Sequence, residues 1–310
     1  MTNISLSDVT HRMAYRHDDL PFVLLWSEKS GCTSLFQWML MQTNEFDEAS
    51  AFSDWIHDWE HAVMKARPGY ADRLVRQLND HAPAFKLVRD PFDRAVSGFL
   101  MLVTLGDDSG HFTVTIRQEI REFVYGNPDV PYAFGFIDAL RWLATQESSE
   151  LDHHLSPQYN PIESQITNLE LIRLERFDAD IRQIEERFGL PRADLAKASE
   201  SRHHTTRAAP VGLNPEAIAR LHPPIPLFQS GFLLPKSSDF MTGEAVELIS
   251  HIYRVDIDAY GYEPPVVTSA SEPVAEKQLD LIRRFRQTAR QALRSRKPLL
   301  DPTSTERTDV

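Results

Sequence analysis

Cysteine is nearly missing from this chain. Cys32 is the single one in 310 residues, so no disulfide can form within it. That usage suits a reducing compartment. No apolar run approaches the roughly 20 residues that carry a helix across a bilayer. The opening residues, Met1 to Asp8, show neither the basic region nor the apolar core of a secretory leader. A cytoplasmic location is therefore expected. Positive charge is also short: 33 Lys and Arg stand against 45 Asp and Glu, a net charge of −12. Such a surface argues against nucleic acid or another long polyanion as partner. No cluster of Cys, His and carboxylates has the spacing of a metal centre, and the adjacent His203 and His204 lack companions at suitable distance. The GxxxxGK[ST] phosphate loop is absent too, because no Lys follows its would-be second Gly.

What remains is an ordinary globular composition, 42% hydrophobic and 25% charged, with one organising stretch. Phe22–Trp26 is a short apolar run that reads as a buried strand. Leu35, Trp38 and Met39 repeat at helical spacing, with Thr33 or Ser34 as the expected N-cap. Between them lie Ser27-Glu28-Lys29-Ser30-Gly31-Cys32-Thr33-Ser34. A strand, a tight loop and a helix start aim unpaired N–H groups at one point, which makes an anion site. The plain alternative is a turn with no ligand.

A second stretch repeats the arrangement. Phe85-Lys86-Leu87-Val88 reads as a strand ending at Arg89, and Asp90-Pro91 reads as N-cap and first helical residue. Arg94, Ser97 and Gly98 lie along the helix that follows. Here the plain alternative is an Arg–Asp pair tying the strand end to the helix.

Together these stretches resemble the PAPS-dependent sulfotransferases, in their carbohydrate (family 2-like) branch. The family's PK-x-GCTS-type loop corresponds to Glu28–Ser34, with Glu28 in place of Pro. Its RDPF-x-R-x-x-S segment corresponds to Arg89–Ser97, with the same eight-residue step. Three further segments follow in the right order. His154-Leu155-Ser156-Pro157-Gln158 is similar to HW-x-PQ, Leu174–Asp180 to FE-x-L-x-x-D, and Ile252–Tyr262 to the closing IY-x-x-D-x-x-x-FGY. The resemblance implies a P-loop-like α/β fold, a parallel sheet with helices on both faces. The single cysteine and missing leader fit a soluble, bacterial-type member.

The resemblance also implies roles. PAPS (3′-phosphoadenosine 5′-phosphosulfate) would be the co-substrate, with no metal. Lys29, Ser30, Gly31, Cys32, Thr33 and Ser34 would hold its 5′ side, Lys29 neutralising charge as the sulfuryl group leaves. Arg89 and Ser97 would hold the 3′-phosphate, and Arg202 and Arg207 would reach the phosphates from an irregular segment over 196–235. His154 would be the general base, with His153 or Glu175 as rivals, and the acceptor would be a hydroxyl of a carbohydrate or glycoconjugate. Two other readings stay open: a P-loop kinase or NTPase, and a non-catalytic glycan-binding relative of the same fold.

The expected organisation is a loosely held arm over 1–20, a catalytic domain over 21–265 and a tail over 266–310. Helices are expected within 52–78 (broken at Pro68-Gly69), 91–105, 114–125, 134–145, 178–188 and 242–253, and a third strand over 169–174. The Trp residues of 52–78 read as core or as walls of an acceptor cleft. From Lys277 to Lys297 eight basic residues face one acid, Asp280, with a narrow apolar stripe at helical spacing. Such a helix can meet an anionic membrane surface or an acidic partner, or pack on the domain's own acidic surface.

Overall fold

The computed structural model describes residues 4–6, 14–104, 111–130, 134–199 and 237–267. Arg202, His203, His204, Arg207 and the 277–297 stretch lie outside the described residues, as do the 106–110 loop and half of the N-terminal arm.

The architecture is α/β. A four-stranded sheet runs in the order β1 (Ala14–Tyr15), β2 (Val23–Leu25), β3 (Ala84–Val88) and β4 (Leu169–Arg173). β2, β3 and β4 are parallel, with Val23 opposite Ala84 and Ala84 opposite Leu169. β1 is antiparallel to β2, so the sheet is mixed where a parallel one was expected. Every residue of β2 and β3 is buried, which accounts for their apolar character; the exception, Lys86, pairs with the buried Glu163 at 3.1 Å.

β1 corrects the expectation of a loose arm. Tyr70 Oη donates to Ala14 O at 3.2 Å and accepts from Arg16 N at 3.0 Å, fixing this strand on the helix that carries Tyr70. Arg16 and His17 are buried with it.

Each parallel strand feeds a helix: β2 leads to α1 (Cys32–Gln42), β3 to α5 (Pro91–Thr104), and β4, through a 3-10 turn at Leu174–Arg176, to α8 (Phe177–Phe188). Between α1 and β3 come α2 (Phe46–Phe52), α3 (His57–Trp59) running into a π-helical turn at Glu60–Met64, and α4 (Tyr70–Asn79). Thus Ser53 as well as Pro68-Gly69 interrupts the 52–78 region. α6 (His111–Tyr125) and α7 (Phe136–Leu143) follow α5; α9 (Leu195–Ser199), α10 (Gly243–Ile252) and α11 (Arg254–Tyr260) complete the described chain. α9 occupies the start of the segment expected to be irregular, and buries Leu195 and Ala198.

Two apolar clusters result. One joins β2 and β3 to α1, α4 and α8 through Leu24, Phe36, Trp38, Leu74, Leu87 and Ile181. The other joins α5, α6, α7 and α10 through Val96, Phe99, Ile120, Leu140 and Ile249. Trp59 belongs to the first, whereas Trp55 is 50% exposed. Because the three parallel strands run the same way, their carboxyl ends share one edge, where ligands of such sheets bind.

Candidate anion site at the strand ends

The loop after β2 is wound tightly. Ser30, fully buried, turns its hydroxyl back to Ser27 O at 2.5 Å and accepts from Ser27 N at 3.3 Å. Gly31 has φ 99°, in the left-handed region, and is the N-cap of α1. The expected cap at Thr33 or Ser34 is therefore corrected: the helix starts earlier, at Cys32, and both hydroxyls lie in its first turn. A Cβ at Gly31 would lie 2.6 Å from Leu174 Cδ1, so a larger residue would have to displace that side chain as well as adopt the left-handed φ. Lys29 has φ 64°, a conformation that costs a non-glycine residue roughly 1–2 kcal/mol. Arg89 Nη1 donates to Lys29 O at 3.1 Å and helps hold it there.

Arg94 ties the rest together. Nearly fully buried, it donates from Nε to Glu28 O at 2.9 Å, from Nη1 to Ser156 O at 2.7 Å and from Nη2 to His153 O at 3.0 Å. One side chain thus joins the loop after β2, helix α5 and the turn before β4. Gly98 lets that turn approach α5, since a Cβ there would lie 3.0 Å from Leu155 Cδ2 and 3.3 Å from His154 O.

Gln158 holds the strand end on the other side. It accepts from Arg89 N at 2.9 Å and donates to Arg89 O at 2.7 Å. Its own N–H and that of Tyr159 donate to the two oxygens of the buried Asp256, each at 2.8 Å. Asp90 caps α5 by accepting from Phe92 N at 2.8 Å, as its position in the sequence predicts.

The resulting electrostatics are lopsided. Burial and the neighbouring guanidinium groups of Arg89 and Arg94 push the Lys29 ammonium down to about 8. Among the described residues no carboxylate pairs with Lys29, and the first turn of α1 contains no acid. The leading N–H groups of a helix have no acceptor inside it. The arrangement can bind an anion, which would restore charge balance to a half-enclosed ammonium.

The structure brings Lys29, Ser30, Gly31, Cys32, Thr33, Ser34 and Arg89 together at this edge. Ser97 is half-buried one turn beyond Arg94 on α5. An open cleft lined by Ser34, Leu174, Glu175, Arg176, Phe177 and Asp178 adjoins the loop. His154 sits on the turn clamped by Arg94; its Nδ1 is 2.7 Å from Asp152 Oδ1, and its ring stacks on Phe112 with centroids 4.9 Å apart. Glu175 accepts from Asp90 N at 2.7 Å and from Tyr262 Oη at 3.1 Å, a scaffolding position.

Sequence reasoning missed His57. Its Nε2 lies 3.1 Å from Thr33 Oγ1 and its Nδ1 2.6 Å from Glu60 Oε2. The available signal was a His and a Glu three apart on a helix, a spacing that makes them neighbours. Among the described residues, no group of His, Cys, Asp and Glu could hold a metal ion, and no helix is long and apolar enough to cross a membrane.

Residues 17–263 match the model of the Sulfotransferase family. No curated protein and no solved structure matches the chain.

Proposed function

The chain belongs to the sulfotransferase family, and from that premise we propose that it transfers the sulfuryl group of PAPS to a hydroxyl of a carbohydrate or glycoconjugate. The observation that carries the donor assignment is the unpaired Lys29 ammonium, set between Arg89 and Arg94 at the N-terminus of α1. Bound PAPS would supply an activated sulfuryl group on its 5′-phosphate. The protein's work is then positioning and charge stabilisation, as in phosphoryl transfer.

On this reading the loop N–H groups, Thr33 and Ser34 hold the 5′-phosphate, and Lys29 neutralises charge on the leaving side. Arg89 and Ser97 hold the 3′-phosphate, with Arg202 reaching it from outside the described residues. His154 takes the acceptor proton. Asp152 occupies its Nδ1, which leaves Nε2 as the basic nitrogen. The fold is of the P-loop-like type with helices on both faces of the sheet, and residues 21–265 form the catalytic domain of a soluble, bacterial-type, cytoplasmic enzyme of the carbohydrate branch. The scheme uses no metal and no nucleic acid.

The test is nucleotide competition followed by turnover. Adenosine 3′,5′-bisphosphate should raise the melting temperature, ATP with Mg²⁺ should do little, and label from sulfur-labelled PAPS should pass to a glycan acceptor. Stabilisation by ATP with Mg²⁺ in place of the bisphosphate would overturn the donor assignment. Bisphosphate binding without transfer to any of a panel of glycans would overturn the acceptor class.

A further inference from the structure

Beside the anion loop lies a buried polar network that the scheme above leaves unused. Glu60 is fully buried. Its Oε1 receives Lys65 Nζ at 2.6 Å; its Oε2 lies 2.6 Å from His57 Nδ1 and 3.3 Å from Tyr15 Oη. His57 is itself walled by rings: Phe36 at 5.8 Å and nearly parallel, Trp55 at 5.5 Å and Trp26 at 6.5 Å between centroids. The ring also bonds the neighbouring Cys32, and its Nε2 lies 3.1 Å from Thr33 Oγ1.

The chemistry of that contact has two states. Glu60, held ionised by His57 and Lys65 against the cost of its burial, can only accept, so Nδ1 carries a proton in both. When Nε2 is also protonated, it donates to Thr33 Oγ1, and the threonine must aim its own proton elsewhere. When Nε2 is bare it accepts that proton, and the hydroxyl turns away from the loop.

We propose that His57 is a positioning residue: backed by Glu60, it donates to Thr33 Oγ1 and so aims the threonine hydroxyl at the anion bound on the Ser27–Ser34 loop. The proposal rests on the anion-site reading and adds to it how one ligand-facing donor acquires its direction.

The groups facing His57 agree. Glu60 lies beside it on the π-helical turn, the Cys32 thiol beside it on α1, and Tyr15 and Lys65 lie around Glu60. Burial lowers the imidazole's affinity for protons, but the hydrogen bonds to Cys32 and Glu60 outweigh it and hold the pKa up at about 9. Around neutral pH the ring is the double donor that the relay requires.

The experiment measures the affinity of adenosine 3′,5′-bisphosphate, and in parallel of inorganic pyrophosphate, by calorimetry from about pH 6 to pH 10. Wild type, Thr33→Ala, His57→Ala, the double variant, and His57→Gln and His57→Asn are compared, each with its melting curve. The expected result is a loss of roughly tenfold in either alanine variant and no further loss in the double, since both remove one charge-coupled contact. Thr33→Ala alone should erase the affinity step centred near pH 9 while leaving the Lys29 step. His57→Gln, whose amide reaches the Nε2 position with a permanent N–H, should keep affinity and lose that step. His57→Asn, which stops at the Nδ1 position, should not.

Additive losses, or an unchanged pH profile in Thr33→Ala, would overturn the relay. So would a His57 variant that binds normally but turns over slowly, because that would place His57 on the reacting group. The Thr33→Ala profile decides the matter even if the His57 variants do not fold. Binding of pyrophosphate without the bisphosphate would overturn the donor reading alone, and the coupling would then be read on pyrophosphate. Binding of neither overturns both.

Discussion

Gln158 closes a two-way hydrogen-bonded ring with the backbone of Arg89, accepting from its N–H and donating to its carbonyl. The amide thus stands in for a neighbouring strand just where β3 ends, and Asp256 holds Gln158 from behind. Replacing it strands two half-buried backbone groups. Gln158→Ala is expected to cost about 2–4 kcal/mol in urea unfolding and to weaken 3′,5′-bisphosphate binding with it. Full bisphosphate affinity in a destabilised variant would show that the clamp serves folding alone.

Arg89 itself separates two nucleotides. Arg89→Ala should weaken adenosine 3′,5′-bisphosphate by about 1.5–3 kcal/mol, while adenosine 5′-phosphosulfate, which lacks the 3′-phosphate, should be little affected. Equal losses by calorimetry would make the Lys29 carbonyl, and not a phosphate, the partner that matters to this side chain.

Lys29 makes anion binding proton-linked. Its pKa lies near 8 in the folded chain against about 10.4 for an unperturbed lysine. Between these values the unfolded chain binds more protons, so this group's contribution to stability improves as pH rises through that window, and its penalty is fully present below it. A bound anion reverses the shift. Bisphosphate binding at about pH 8.5 should take up protons, visible as heats that vary with buffer ionisation enthalpy. Lys29→Met should reduce that uptake and weaken binding. A variant with the wild-type uptake would exclude Lys29 as the linked group.

His154 and His153 are adjacent but differently used: one faces Asp152 and Phe112, while the other lends its carbonyl to Arg94. His154→Ala is expected to lower kcat by roughly 10²–10⁴-fold with bisphosphate affinity nearly intact. His153→Ala should do far less. Near-normal turnover in His154→Ala, or turnover lost only through lost nucleotide binding, would remove it as the base.

For the basic 277–297 stretch, outside the described residues, we propose contact with an anionic membrane surface. A chain ending at Pro265 should keep turnover but lose co-sedimentation with anionic vesicles. Equal sedimentation of both chains would remove the membrane contact.

The strand Ala84–Val88 and the cap at Asp90 were legible because local pattern decides them: five buried residues in a row, then an acid that bonds the next turn. The helix 177–188 was legible for the same reason, with Gly189 stopping it in a left-handed conformation. β1 was not, since two residues between Met13 and Arg16 carry no strand period, and the bond that fixes them comes from Tyr70, far along the chain. The cap of α1 was misjudged because threonine and serine compete well for that position in general, whereas here Leu174 and the left-handed turn at Gly31 decide it. The placement of Lys29 and Arg89 just beyond the ends of β2 and β3 was readable from the strand–loop–helix pattern. The three carbonyls gathered by Arg94, and the line from Glu60 through His57 to Thr33, were not, because each depends on contacts between segments distant in sequence or on a pairing that spacing alone does not single out.

Arg94 also separates cations that can answer a ligand from one that cannot. Its guanidinium nitrogens are committed to three backbone carbonyls, and it is nearly fully enclosed. Its charge is therefore a standing background, present whether or not an anion arrives, and mobile salt reaches it poorly. The attraction that dissolved ions can screen falls to the more open Lys29 and Arg89. Ionic strength should consequently erode anion affinity less than a count of three neighbouring cations implies.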